Sequence, residues 1–193
     1  MSEKKHGTFD ACAGAVSVGG LRDVETGRFD ELSAARLIRE SRSMVRNVLL
    51  VEDDENDVFF FKRAMKLAEW TDPLQVARDG QQAIEYLKGT GPFSSREEFP
   101  MPVLILLDLK LPFLSGLEVL KWIRAESEYR HLTVVMLTSS KEEVDIDQAC
   151  QLGANAYVVK PAGPEELLDL VKAIWAFWIK HNQYCPGLVP VGV

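Results

Sequence analysis

Asp108 follows the apolar run "LILL" (104–107) without a spacer. A carboxylate at the end of such a run is costly to desolvate, so it needs a task. Other chemistry-bearing residues stand at similar places. Glu52, Asp53 and Asp54 follow "NVLLV" (47–51), and Arg78 and Asp79 close "LQVAR" and its turn (74–79). Thr138 and Ser139 close "TVVMLTS" (133–139), and Lys160 closes "AYVVK" (156–160). Brought together, Glu52, Asp53 and Asp108 would repel one another, and at least one pKa would rise unless a cation joined them. Carboxylate oxygens, a backbone carbonyl and waters suit a hard octahedral cation, Mg2+ above all. Such an ion docks a phosphate and screens transferred charge. Lys160 is a compact cation able to pair with Asp108 and then with a phosphoryl oxygen. Thr138 adds a hydroxyl donor. The set suits a carboxylate nucleophile that accepts a phosphoryl group and becomes an acyl phosphate.

Each residue alone has an ordinary explanation. "VEDDEND" resembles any acidic helix start, since Asp and Asn favour the first turn. A lone Thr138 is a satisfied strand-end hydroxyl, and a lone Lys160 is a surface lysine. What lifts them above this is a fold that brings them to one rim.

The elements that would do so are legible in the pattern. Strands are expected at 47–51, 74–78, 103–109, 133–139 and 156–160, with helices at 57–70, 80–89, 115–126, 141–153 and from Pro164 to about Asn182. Strands and helices alternate, and three of the strands are continuous apolar runs. That pattern marks a parallel sheet covered on both faces. The fold class is α/β: a five-stranded, doubly wound parallel sheet, its site at the carboxyl ends of the strands.

Three segments are expected: an N-terminal extension (1–46), one domain (47–182) and a short tail (183–193). Residues 1–46 hold eight Lys+Arg against seven Asp+Glu, leaving 14 against 22 for the rest of a chain of net charge -7. Neither part is basic enough for nucleic acid or an anionic membrane. The first twenty-odd residues are expected to be disordered, and 29–45 to form a weak amphipathic helix. No stretch approaches the roughly 18 apolar residues of a spanning helix. "ACAGAVSVGG" (11–20) lacks a signal peptide's apolar core. Cys12, Cys150 and Cys185 share no metal-like spacing and read as free thiols of a cytoplasmic protein.

The last helix stands out. Leu167, Val171, Ile174 and Trp178 form one stripe to bury. Trp175 and Phe177 lie off it, and an exposed aromatic patch for dimerisation or partner docking is expected.

The chain resembles the receiver domain of two-component response regulators. The resemblance is carried by "LLVEDDE" (49–55), "LLDLKLPFLSG" (106–116), "MLTSS" (136–140) and "AYVVKP" (156–161), and covers about residues 46–180. Pro112 and Gly116 stand four and eight residues after Asp108, Thr138 and Lys160 thirty and fifty-two after it. It implies the flavodoxin-like receiver fold, with Asp108 as phosphoacceptor and Glu52, Asp53, Asp108 and the Lys110 backbone carbonyl as Mg2+ ligands. Asp54, just after the acid pair, is a weaker candidate ligand. It further implies Thr138 and Lys160 as phosphoryl-binding groups, Thr138 and Tyr157 as a switch pair, a cis bond before Pro161, and Gly116 freeing the turn after the third strand. The donor would be a sensor histidine kinase. Loop 89–102 and the helix-end aromatics look like the stand-alone receivers that partner bacterial phytochromes. A histidine phosphotransfer protein is a further partner, and the C-terminal helix is the expected homodimer contact. The chain would assist its own phosphorylation and dephosphorylation without turning over a separate substrate.

Two rivals use the same nucleophile or fold. A phosphatase of the haloacid dehalogenase class needs a second acid two residues after the nucleophile, where this chain has Lys110. A phosphorylation-independent scaffold receiver has no need of Asp53, Asp108, Thr138 and Lys160 together. A DNA-binding output is not expected either: eleven residues after Asn182 are too few for a helix-turn-helix.

Overall fold

The structure is a computed structural model and describes residues 46–183. The expected helix at 29–45, the expected disorder before it, Cys12, Cys185 and residues 184–193 lie outside the described residues. Five strands are present: β1 (Val48–Val51), β2 (Leu74–Ala77), β3 (Leu104–Leu107), β4 (Thr133–Thr138) and β5 (Ala156–Val159). All pair in parallel in the order β2-β1-β3-β4-β5. The helices are α1 (Glu55–Leu67), α2 (Gly80–Lys88), α3 (Gly116–Ala125), α4 (Glu143–Gln151) and α5 (Pro164–Ile174).

The central strands are buried because both faces are covered. Leu49, Val51, Ile105, Leu107, Val134 and Met136 face α2 and α3, meeting Tyr86, Leu87, Leu120 and Ile123. Their neighbours Val48, Leu50, Leu104, Leu106, Val135 and Leu137 face α1 and α5, meeting Phe61, Met65, Val171 and Ile174. This alternation on unbroken apolar runs is the two-sided burial that the sequence pattern implies. Each fully buried aliphatic side chain contributes about 1.5–3 kcal/mol.

Side chains set the helix starts. Asp54 accepts from the Asn56 amide (2.7 Å) to cap α1. Asp79 accepts from the Gln82 amide (2.7 Å) to cap α2. Each satisfies an amide that the helix itself leaves without a partner. Ser115 and Glu118 form a reciprocal capping box on α3. Several boundaries differ from expectation, the start of α1 because of its cap. α1 begins two residues earlier because Asp54 starts it, and it ends at Leu67 rather than residue 70. β3 ends at Leu107, so Asp108 lies just past the ladder.

Three further expectations are corrected. The Lys160–Pro161 bond is trans, as are all described peptide bonds; trans is the lower-energy isomer even before proline, by about 0.5–1 kcal/mol. The last helix does not continue as an α-helix to residue 182. After Ile174 it widens into a π-helical turn, Trp175–His181. The wider turn rephases the buried stripe, so Ile179 is buried where Trp178 was expected. Trp175 and Trp178 pack partly buried against the α1/α5 core, which leaves Phe177, 60% exposed, as the outward aromatic.

The long loop 89–102 is tightly anchored. Arg96 donates to the α2 carbonyls of Tyr86 (2.8 Å) and Leu87 (2.5 Å). Phe93 and Phe99 pack on the Tyr86 ring, and Asn47 donates to the Tyr86 hydroxyl (2.7 Å) and the Pro100 carbonyl (2.8 Å).

Candidate functional site

The carboxyl ends of β1, β3, β4 and β5 converge on one rim. The ladder itself carries them there. The Glu52 amide donates to the Ala77 carbonyl (2.9 Å), and the Asp108 amide to the Val51 carbonyl (3.0 Å). The Lys160 amide donates to the Thr138 carbonyl (2.7 Å). Residues more than a hundred positions apart, such as Glu52 and Lys160, are thereby held at one rim.

Lys160 is the hub. Its Nζ donates to Glu52 Oε2 (2.5 Å), Asp108 Oδ2 (2.7 Å) and Asp57 Oδ2 (2.8 Å). The side chains of Glu52 and Asp108 are only 3% and 8% exposed. Both therefore depend on this ammonium for charge balance. The other oxygen of Asp108, Oδ1, accepts from the Lys110 amide at 3.2 Å. Thr138 is fully buried, and its Oγ1 accepts from the Ser140 amide at 3.4 Å. The Tyr157 hydroxyl donates to the Ser140 carbonyl (3.3 Å), and the Ser140 hydroxyl donates to Asp145 Oδ2 (2.5 Å).

The electrostatics match this crowding. Burial pushes the Glu52 carboxyl up to about 7; the Lys160 contact opposes the rise, and Asp108 and Asp57 reinforce it. Burial works against the Lys160 charge, yet its hydrogen bonds to Asp108, Asp57 and Glu52 outweigh that and raise its pKa. Burial also raises the Tyr157 phenol.

Glu52, Asp53 and Asp108 each present an oxygen, all within 4.8 Å of one another. An all-oxygen donor set of this size, with more carboxylate than one lysine balances, fits a hard divalent cation. Asp54 does not join them. It is the exposed cap of α1, and the hydrogen bond from the Asn56 amide holds its pKa down.

Sequence reasoning missed Asp57. It sits in the first turn of α1, where an acid is ordinary. Only the approach of α1 to the end of β5 shows that it meets Lys160. A cavity of about 890 Å³ opens beside this cluster, lined by Glu52, Asp57, Lys160 and Lys141 with an apolar wall that includes Phe60 and Leu167.

Comparison with known proteins agrees with this fold. The response regulator receiver domain profile matches residues 48–172. Response regulator Rcp1 of Synechocystis sp. is 35% identical over 133 residues, covering 69% of this chain and 88% of Rcp1. The Mn2+-bound structure of Rcp1 aligns with a TM-score of 0.66 at 33% identity, covering 72% of this chain and 99% of that one. The bacteriophytochrome response regulator RtBRR is 43% identical, with a TM-score of 0.60 over 75% of this chain and 86% of that one. Fold, matched residues and relatives agree: the chain belongs to the response regulator receiver domain family.

Proposed function

We propose that this receiver accepts a phosphoryl group on Asp108 from the phosphohistidine of a sensor histidine kinase. The reading rests on one observation: Asp108 lies beyond a buried strand, one oxygen on Lys160 and the other on the Lys110 amide, beside Glu52 and Asp53. A carboxylate oxygen forms the new bond to phosphorus. The P–N bond of the donor breaks, and its electron pair leaves with the imidazole nitrogen. Glu52, Asp53 and Asp108, with the Lys110 carbonyl, are the residues that would hold Mg2+. That ion supplies charge screening for the transferred group.

The chain's own groups supply the rest. Lys160 gives a donor to a phosphoryl oxygen, and Thr138 gives a hydroxyl. Phosphorylation adds about -1.5 to -2 charge at the rim. Thr138 moves toward that charge, the loop after β4 follows, and Tyr157 exchanges its bond to the Ser140 carbonyl for an inward rotamer. The altered face of α4, β5 and α5 carries the signal by protein contact or onward transfer to a histidine phosphotransfer protein. The domain acts on itself only. No described helix is long and apolar enough to cross a membrane, and we place the protein in the cytoplasm with its kinase. The likeness to RtBRR supports a bacteriophytochrome as that kinase, and the exposed Phe177 supports a homodimer through the C-terminal helix.

Acetyl phosphate and Mg2+, followed by intact mass, test the core of this reading. Wild type is expected to gain one phosphoryl mass and Asp108→Asn none. Equal gain in both would remove Asp108 from the role.

A further inference from the structure

Lys160 has three N–H bonds, and all three are committed to carboxylates. An incoming phosphoryl group must find a donor here before its bond to Asp108 forms, while Asp108 still holds its own N–H. Once transferred, it brings three charged oxygens where Asp108 offered one. One of the present acceptors has to give way.

The three acceptors differ in what release would cost. Glu52 and Asp108 are 3% and 8% exposed. Stripping the ammonium from either leaves a buried carboxylate whose charge a divalent cation shared by the acids would offset only in part. Asp57 is 44% exposed, so water replaces the lost bond. It also lines, together with Lys160, the cavity that opens beside the cluster. Asp57 sits on α1 rather than on a strand, so its release does not disturb the sheet ends that carry Glu52 and Asp108.

We propose that Asp57 is a positioning residue that holds the third N–H of Lys160 at rest and yields it to the phosphoryl group. It keeps the ammonium extended over the rim, yet its charge competes with the group that Lys160 must bind. This inference rests on Asp108 being the phosphoacceptor.

The competition has a measurable sign. A neutral amide at residue 57 still accepts from Lys160 but binds it less strongly than a carboxylate. Asp57→Asn should therefore bind a phosphoryl mimic more tightly than wild type, by about two- to fivefold, the range of a partly exposed ion pair. Asp57→Glu, which keeps the charge, should return to wild type. Asp169→Asn removes one charge from a site 81% exposed on α5 and should change nothing.

The probe is beryllium fluoride with saturating Mg2+, its dissociation constant read by fluorine NMR on the full chain, with melting temperatures measured alongside. Asp57→Ser serves as a second neutral variant should Asn fold poorly. Tighter binding in the neutral variants, reversed by Glu, supports the role. Unchanged or weaker binding in both neutral variants overturns it, since a purely structural side chain would lower affinity and melting temperature together. A wild type that binds no beryllium fluoride overturns the phosphoacceptor reading itself, and this inference with it.

Discussion

Gly116 lies so close to Asp108 that a Cβ placed on it would stand 2.0 Å from the Asp108 carbonyl oxygen. The same glycine donates its amide to the Leu109 carbonyl at 2.9 Å. The first residue of α3 is thus pressed against the backbone of the candidate phosphoacceptor, where only a hydrogen fits. Gly116→Ala must push that backbone aside. The expected cost is about 1–3 kcal/mol, the range for overpacking. A displacement of even about 1 Å at the nucleophile slows transfer by up to about 100-fold. Thermal unfolding and the rate of mass gain from acetyl phosphate check the two effects separately.

Lys160→Ala leaves Glu52 and Asp108 buried without their shared cation. An uncompensated buried charge typically costs about 3–5 kcal/mol. The loss here is expected nearer to about 2–4 kcal/mol, because a divalent cation held by the acids offsets part of it. Urea denaturation with and without Mg2+ should therefore show a variant whose stability depends on the metal more steeply than wild type. Equal metal dependence would mean that Lys160 does not balance these acids.

Phe113 is 95% exposed and sits in the left-handed region at φ 64°, inside a three-residue turn closed by the Leu114 amide on the Pro112 carbonyl (2.7 Å). A bulky L-residue is strained there by about 1–2 kcal/mol. Glycine removes that strain at the expense of some unfolded-state entropy. Phe113→Gly is expected to stabilise the fold by about 0.5–1 kcal/mol, seen as a higher urea midpoint at unchanged slope. A lower midpoint would show that the ring packs in solution.

Burial pushes the Tyr86 phenol up to about 12, partly offset by the Asn47 hydrogen bond and nearby Arg96. The folded protein therefore holds this proton more tightly than the unfolded chain, whose tyrosine titrates near 10. The associated stability, on the order of 2–3 kcal/mol, is complete below about pH 10 and is lost as pH rises through about 12. Ultraviolet titration should show one tyrosine ionising after all the others, and Tyr86→Phe should remove that last step.

Asp108 and Lys160 were legible in the sequence because each terminates an apolar strand, and a parallel sheet has one carboxyl rim. Glu52 and Asp53 were legible for the same reason. Asp57 was not, since a first-turn acid on a helix reads as a partner of the helix dipole. What reveals it is the approach of α1 to the end of β5, a tertiary fact with no local signature. The widening after Ile174 was equally hidden. Trp178 and Ile179 are both apolar, so either could continue the stripe, and packing decides between them. The aromatic excess in "IWAFWIKH" was visible, but the turn that buries most of it was not.

The Arg46 guanidinium donates to the Ile179 carbonyl at 2.6 Å. This bond staples the start of β1 to the end of the C-terminal helix, at the margin of the sheet remote from Asp108. The four residues of β1 separate that margin from the acidic rim. At the usual strand rise they span roughly 13 Å. Both ends of the receiver domain therefore depart side by side from the same pole. Reporter proteins fused there would flank one another at close range and leave the opposite pole open. A pair of fluorophores at the two domain ends should give a high transfer efficiency, set by the contact between Arg46 and Ile179.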